Sequence, residues 1–361
     1  MRDFLRGMGA LGLFLACSSG AMAANSAPIS SLDWMEPCSL PSALASDEGA
    51  IPPGEIRLID FEESAMSCDD HCAIACDDGC CDPEWIVSAG AVFLHRSRPA
   101  SASIATPPTG TPGTLINGGD FQFNWEAGPE ISIARRSRSG IVWEGRYFGI
   151  NDSDAGFFVP AVTTFRVAGI GVTILGGGSI DGIYDTRIDS TEFNANVPIN
   201  AGCSFIAGFR AVELHDNLRL NIATPNTFVN WDENNHLYGG QLGVKMNFIS
   251  PGSPLDFTGA FKAGIYGNLS ENAFTSNIVG GDTDSTTDVA FVGELNLSAA
   301  YHVTQHLALR GGYMVLWLEN VGLASDVAAT TVQTVGGTSS PARTDGSLWY
   351  HGATVAVEYI W

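Results

Sequence analysis

The sequence predicts an all-β fold: a transmembrane, antiparallel, up-and-down β-barrel of about twelve strands behind a disordered or disulfide-clipped N-terminal extension. Three observations lead there. Near the C-terminus Trp361, Tyr359, Val357, Val355 and Ala353 alternate with Ile360, Glu358, Ala356, Thr354 and Gly352, and a period of two marks a strand with one apolar face. Several such segments exceed the ~5–6 residues usual in globular sheets, whereas a tilted membrane strand needs about 9–11. Short and long connections also alternate, as inner turns and outer loops do in such barrels.

Residues 1–23 read as a secretory signal peptide. Arg2 and Arg6 form its basic region, 7–16 its apolar run, and Ala21-Met22-Ala23 a small-x-small cleavage site. The run is shorter than the about 20 residues that cross a bilayer. A lipoprotein leader with Cys17 as the lipidated residue fits less well, because Phe14 and Leu15 precede Ala16. An exported chain with no second long apolar run is either soluble or inserted as a barrel.

Composition narrows the partners. Of 361 residues 45% are hydrophobic and 16% charged, and the formal net charge is −22. Such an acidic balance argues against nucleic acid, whose phosphates require a basic footprint, and against anionic membrane surfaces. Acid is densest in 24–83, where Arg57 is the one basic residue and prolines interrupt the chain. That stretch cannot bury much core and reads as a periplasmic extension, with a plug entering the barrel as the sharper alternative.

Cys68, Cys72, Cys76, Cys80 and Cys81 stand there among aspartates and His71. Disulfides and metal both remain open for them. Paired-cysteine zinc spacing is absent, and export to an oxidising compartment favours disulfides. Loss of Cys17 with the signal leaves an odd number of cysteines, with Cys38 and Cys203 as partners or leftovers.

From Glu84 onward, strand patterns are separated by Gly, Pro, Asn and Asp clusters. In 289–304 Phe291, Leu295, Leu297 and Tyr301 face away from Glu294, Asn296, Ser298 and His302; 255–266 and 307–317 repeat the pattern. Pro129 disfavours a strand over 120–136, but Phe121, Phe123, Trp125, Ala127, Ile131 and Ile133 keep one parity across it, so a bent strand is expected. Short turns are expected at 215–217, 250–254 and 304–305, with a further turn at 176–178, and long loops at 223–235, 270–288 and 322–346. Twelve strands follow, at 84–96, 120–136, 141–149, 161–175, 180–196, 203–214, 217–223, 236–249, 255–270, 288–304, 306–321 and 347–361, with both barrel ends periplasmic.

Segments 85–99 (WIVSAGAVFLHRSRP), 205–220 (FIAGFRAVELHDNLRL), 236–244 (HLYGGQLGV) and 306–321 (HLALRGGYMVLWLENV) resemble the planctomycete outer-membrane proteins classed as putative beta-barrel porin-7. The similarity covers most of 84–361, and the Cys-rich run before the first strand is also similar to that group. The Thr/Ser/Gly-rich stretch 325–344 departs from the usual family loop. The resemblance implies a fold and the cell outer membrane as location, rather than a catalytic activity.

Parity assigns the lumen-facing selectivity candidates: Glu126, Glu144, Arg146, Arg210, Lys245, Lys262, Glu294, Arg310 and Glu358. The blander expectation is that these charges pair across strands and fill a small barrel. Tyr359 and Trp361 read as the C-terminal insertion signal. No dinucleotide fingerprint or G-x-S-x-G elbow is present. His95, His302, His306 and His351 lack legible partners, so neither catalysis nor a cofactor is expected. The aspartates of 151–156 and 282–288 are candidates for divalent cations in loops, though neither segment completes a calcium loop. Expected partners are outer-membrane lipid, the barrel-assembly machinery and a second copy of the chain. The expected function is a porin-like channel for small solutes; the alternative is a non-conducting structural or adhesive envelope protein crosslinked through its cysteines.

Overall fold

Strand alternation gives every long segment two rows of side chains, and closing the sheet on itself separates the rows into a wall and a filling. The computed structural model describes residues 85–361 except 108–112, 168–169, 171–172, 201, 224–226, 250–252 and 335–336. The signal peptide, the extension and Cys68, Cys72, Cys76, Cys80 and Cys81 lie outside the described residues. In chain order the elements are β1 (Trp85–Arg96), β2 (Ser103–Thr106), β3 (Ile116–Asn117), β4 (Trp125–Arg136), β5 (Val142–Val167), β6 (Thr173–Asn200), β7 (Cys203–Ile222), β8 (Thr227–Ile249), β9 (Leu255–Ser276), β10 (Asp282–His302), β11 (Leu307–Val321), α1 (Ala324–Thr330), β12 (Val332–Thr334), β13 (Gly337–Ser339) and β14 (Gly346–Ile360).

Ten strands pair antiparallel in a closed ring, β1-β4-β5-β6-β7-β8-β9-β10-β11-β14 and back to β1. The seam is an ordinary ladder: Ala89 faces Val357, and Trp85 and Trp361 exchange backbone hydrogen bonds of 3.0 and 3.1 Å. β2 and β3 are short additions beside the far end of β5, and β12–β13 is a separate hairpin. The ends at which β4 is followed by β5, β6 by β7, β8 by β9 and β10 by β11 lie at the end of the ring that carries Trp85 and Trp361, and the ends at which β1 is followed by β4 and β11 by β14 lie at the opposite end.

The ring therefore has ten members where the alternation predicted twelve. The expected strands at 141–149 and 161–175 are absorbed into β5 and β6, and those at 203–214 and 217–223 are one strand. The expected turn at 215–217 is extended backbone, with Asp216 buried between exposed or half-buried neighbours, and the glycines 176–178 lie inside β6. Likewise 223–235 and 270–288 are mostly strand. The reason is geometric. β5 to β10 carry 26, 28, 20, 23, 22 and 21 residues, whereas β1, β4, β11 and β14 carry 12, 12, 15 and 15. One side of the wall stands far above the rest, and its outer row there carries Arg187, Asp189, Glu213, His215 and Asp232. That polar outer row has the composition of a loop.

Below it the outer row is apolar. Trp143, Phe193, Phe248, Phe257, Tyr301, Tyr359 and Trp361 are exposed toward the short-turn end, and Trp125, Tyr238, Tyr313 and Trp349 toward the other. Ile131, Leu242, Ile265, Leu297, Leu309 and Val355 are exposed between them. The 11 residues from Tyr238 to Phe248 match a tilted membrane strand, and aromatic rims around an aliphatic band are what a lipid-facing wall requires. Among the described residues no helix is long and apolar enough to cross a membrane. Pro129 does sit inside β4, opposite Ala91 of β1. Its neighbour Gly128 approaches β5 so closely that a Cβ would lie 1.7 Å from the Gly149 carbonyl oxygen, a contact open to glycine alone.

Candidate functional site

The inward rows stack into layers, and one is made of charge. Glu192 of β6 lies in register between Arg146 of β5 and Arg210 of β7, while Lys262 of β9 is opposite Glu294 of β10. The pleat aims all five inward, and they join across the lumen. Lys262 donates to both carboxylate oxygens of Glu192, at 2.6 and 2.8 Å, and lies 3.0 Å from Glu294. Arg146 donates to Glu294 at 2.7 Å, to Glu192 at 3.1 Å and to Glu130 of β4 at 2.7 Å. Arg210 donates to Glu294 at 2.8 Å and to Ser190 at 2.9 Å. Gln241 adds a donor to Glu192 at 2.7 Å. Three cations thus face three carboxylates, and the formal charges cancel. The cluster's desolvation is offset only while every partner remains.

On one side of this layer the lumen is apolar. Val92, Leu94, Phe148, Ile188, Val212, Leu237, Met314 and Leu316 are each at most 1% exposed. Farther up, loop residues complete the filling: Ile104, Ile116, Phe121, Phe123, Ala324 and Val327 pack with wall residues Phe165, Ile180, Leu218, Val229, Trp231 and Phe274.

The loop before β14 is held by specific polar contacts. Asp216, fully buried, accepts from Arg96 at 2.5 Å, Tyr184 Oη at 2.6 Å and the Ala324 backbone N–H at 3.0 Å. Asn235 donates to the Gly322 carbonyl at 2.8 Å and accepts from its N–H at 2.6 Å. Trp231 Nε1 donates to Thr331 at 2.9 Å. Asp282, Asp284 and Asp288 accept from the Ser340 N–H, the Ala342 N–H and the Thr344 hydroxyl at 2.6, 3.0 and 3.0 Å. The expected acidic loop at 282–288 is therefore strand, as is 151–156, and its inward aspartates grip the loop before β14. Within that loop Asp326 is pushed up to about 6, by burial first and then by Asp345 and Asp216. The hydrogen bond from Arg343 holds Asp345 below its ordinary range.

On the other side of the charge layer lies an open vestibule with a cavity volume of about 170 Å3. Seven of the predicted lumen residues line it or its floor: Glu144, Arg146, Lys245, Lys262, Glu294, Arg310 and Glu358. Arg310 pairs with Glu358 at 2.5 Å. Arg210 belongs to the charge layer, whereas Glu126 sits farther along β4, opposite Leu94, outside both. Glu130 and Glu192 complete the layer and were absent from the predicted set. Glu130 shares the parity of Glu126, and Glu192 alternates with exposed Phe193, but polar residues on both faces of the preceding stretch, among them Asp185, Thr186, Asp189 and Ser190, obscure its parity in the sequence.

The histidines acquire partners that sequence alone did not show. His302 lies 2.8 Å from Asp256, His351 2.7 Å from Tyr313, and His306 3.0 Å from the Ile360 carbonyl, while His95 packs against Trp125. Tyr359 and Trp361, the predicted insertion signal, are half exposed with ring centroids 5.6 Å apart.

Among solved structures, the outer-membrane protease OmpT of Escherichia coli is similar at 7% identity with a TM-score of 0.45, covering 77% of this chain and 97% of its own. A FadL homologue of Pseudomonas aeruginosa matches at 7% identity and TM-score 0.23, covering 78% and 90%. An anion-selective porin from Comamonas acidovorans matches at 7% and 0.17, covering 77% and 98%. At such values the likeness extends to no side chain and no chemistry. No curated protein matches the sequence. Residues 138–361, from the turn before β5 through the last strand, match the family described as Putative beta barrel porin-7, and the chain belongs to that family.

Proposed function

We propose that this protein is an outer-membrane barrel that is closed to solutes and serves a structural role in the cell envelope, presenting its tall wall and the loops 97–124 and 322–345 at the cell surface. The observation that carries the proposal is the lumen itself. A neutralised six-residue charge layer spans it, and a buried apolar filling of wall and loop side chains lies above. A permeant ion or solute would have to displace both, and small barrels whose interiors are packed with side chains leave no aqueous path. The apolar belt supports insertion in a bilayer, and family membership supports the outer membrane as location. Catalysis forms no part of the proposal.

Single-channel recording of the purified full-length chain in planar bilayers tests it. Insertion without conductance steps is the expected result, and stable open steps from the intact chain overturn it. The second reading, a diffusion channel for small solutes, is favoured by one feature: the vestibule reaches the charge layer from the short-turn end, so that only the layers above would need to move.

A further inference from the structure

The vestibule holds two charged groups that have no counter-ion among the described residues. Eight of its lining residues are charged: Glu130, Glu144, Glu294 and Glu358 against Arg146, Lys245, Lys262 and Arg310. Arg146 is paired with Glu130, Lys262 with Glu294, and Arg310 with Glu358. That leaves Lys245 of β8 and Glu144 of β5. Among the described residues Lys245 has no ion pair or hydrogen bond, and Glu144 accepts only from the neutral Asn196 amide, at 3.1 Å. The two do not pair with each other in this structure. β5 and β8 are three inter-strand steps apart in the ring, about 14 Å along the wall. Both project into one cavity that opens at the short-turn end.

We propose that the vestibule is a binding site for a small zwitterion, a molecule of the amino-acid class carrying one carboxylate and one ammonium group. Lys245 meets the carboxylate and Glu144 the ammonium. A ligand of either net charge would satisfy one of the two and leave the other alone, whereas a zwitterion satisfies both and preserves the neutrality of the lining. Charge-assisted hydrogen bonds at both ends are the strong kind. Thr258, Asn296 and Ser298 on the same wall supply neutral donors and acceptors for the remainder of the molecule. The ligand enters from the end where Trp85 and Trp361 pair, the periplasmic face under the proposed function. Binding requires no passage through the charge layer, so it stands or falls separately from conduction.

Isothermal titration calorimetry on the full-length chain, folded in detergent micelles, tests the site. The probes are three zwitterions of increasing charge separation, glycine, β-alanine and 4-aminobutyrate, with acetate and methylammonium as single-charge comparators. At least one zwitterion is expected to bind saturably, at least tenfold tighter than either comparator. Lys245→Met and Glu144→Gln are each expected to weaken it at least tenfold, with heat-modifiable gel migration retained to show that both variants fold. Glu126→Gln, which removes a carboxylate outside the vestibule, is expected to bind as the parent does. Absence of saturable binding by all three zwitterions overturns the proposal, as does acetate binding equally well or an equal loss on Glu126→Gln. Conductance recordings decide the closed-barrel proposal and calorimetry decides this one, so either can fail alone.

Discussion

Lys262 Nζ lies 2.6 Å from Glu192 Oε1, although the two residues leave the wall on β9 and β6, with β7 and β8 between them. Arg146 reaches Glu294 from β5 to β10 at 2.7 Å in the same layer. The barrel is thus braced through its interior as well as around its circumference. Both struts depend on carboxylates that water does not reach, which makes the layer intolerant of losing one member.

Glu294→Ala leaves Arg210 without its carboxylate and removes one partner each from Arg146 and Lys262. Removing one partner from a buried ion cluster costs about 3–5 kcal/mol. The unfolding midpoint of the variant in urea, measured in detergent micelles, is expected to fall accordingly. Replacing Glu192 and Lys262 together with leucine and methionine is expected to cost well under the sum of the two single changes, because no unpaired ion remains between them. Additive losses would show that the pair is not coupled.

Asp216 ties the wall to the loop before β14 through Arg96, Tyr184 and the Ala324 N–H. Asp216→Ala is expected to loosen residues 322–345 while the ring below persists. Limited proteolysis of the folded protein measures this: cleavage within that loop should be at least tenfold faster than in the parent, with heat-modifiable migration unchanged. Equal cleavage rates would mean that the apolar filling alone holds the loop.

Asp326 makes the docking of that loop pH-dependent. Docked, it titrates at about 6, through burial first and then Asp345 and Asp216, with Arg343 and Arg96 opposing. Released, it titrates at an ordinary carboxylate value of about 3.9. Between these values the docked loop binds more protons, so docking weakens as pH rises from about 4 to 6 and levels off above. Hydrogen exchange of residues 324–334, corrected for intrinsic rates, is expected to show greater protection at pH 4.5 than at pH 7. Asp326→Asn should flatten the difference, and an unchanged pH profile in that variant counts against Asp326 as the titrating group.

Gly128 permits the close approach of β4 to β5. Gly128→Ala places a carbon 1.7 Å from the Gly149 oxygen, so the two backbones must move apart there. The fraction of protein refolding to the heat-modifiable form is expected to drop. Gly311→Ala, whose added carbon meets nothing within 4 Å, is expected to refold as the parent does.

The segments where the wall alternates apolar-out and polar-in were legible residue by residue: β1, β11 and β14 matched their expected extents, β9 and β10 matched them up to the expected loop at 270–288, which is mostly strand, and parity alone placed Glu294, Lys262, Arg310 and Glu358 inside. The count failed on β5 to β7, where the strands continue past the lipid into water. There Glu213, His215 and Asn217 on the outside and Asp216 on the inside are all polar, so alternation loses its contrast. What the sequence by itself determined was which residues face lipid and which face the lumen within the belt, because burial in lipid imposes a period of two that local composition records. Which lumen charges meet was decided only by closure of the ring. Lys262 and Glu192 are 70 positions apart, and no local pattern reports a contact across a barrel. Closure also decided that the acidic stretch 282–288 clasps a loop, and that Lys245 and Glu144 have no counter-ion among the described residues in an open vestibule.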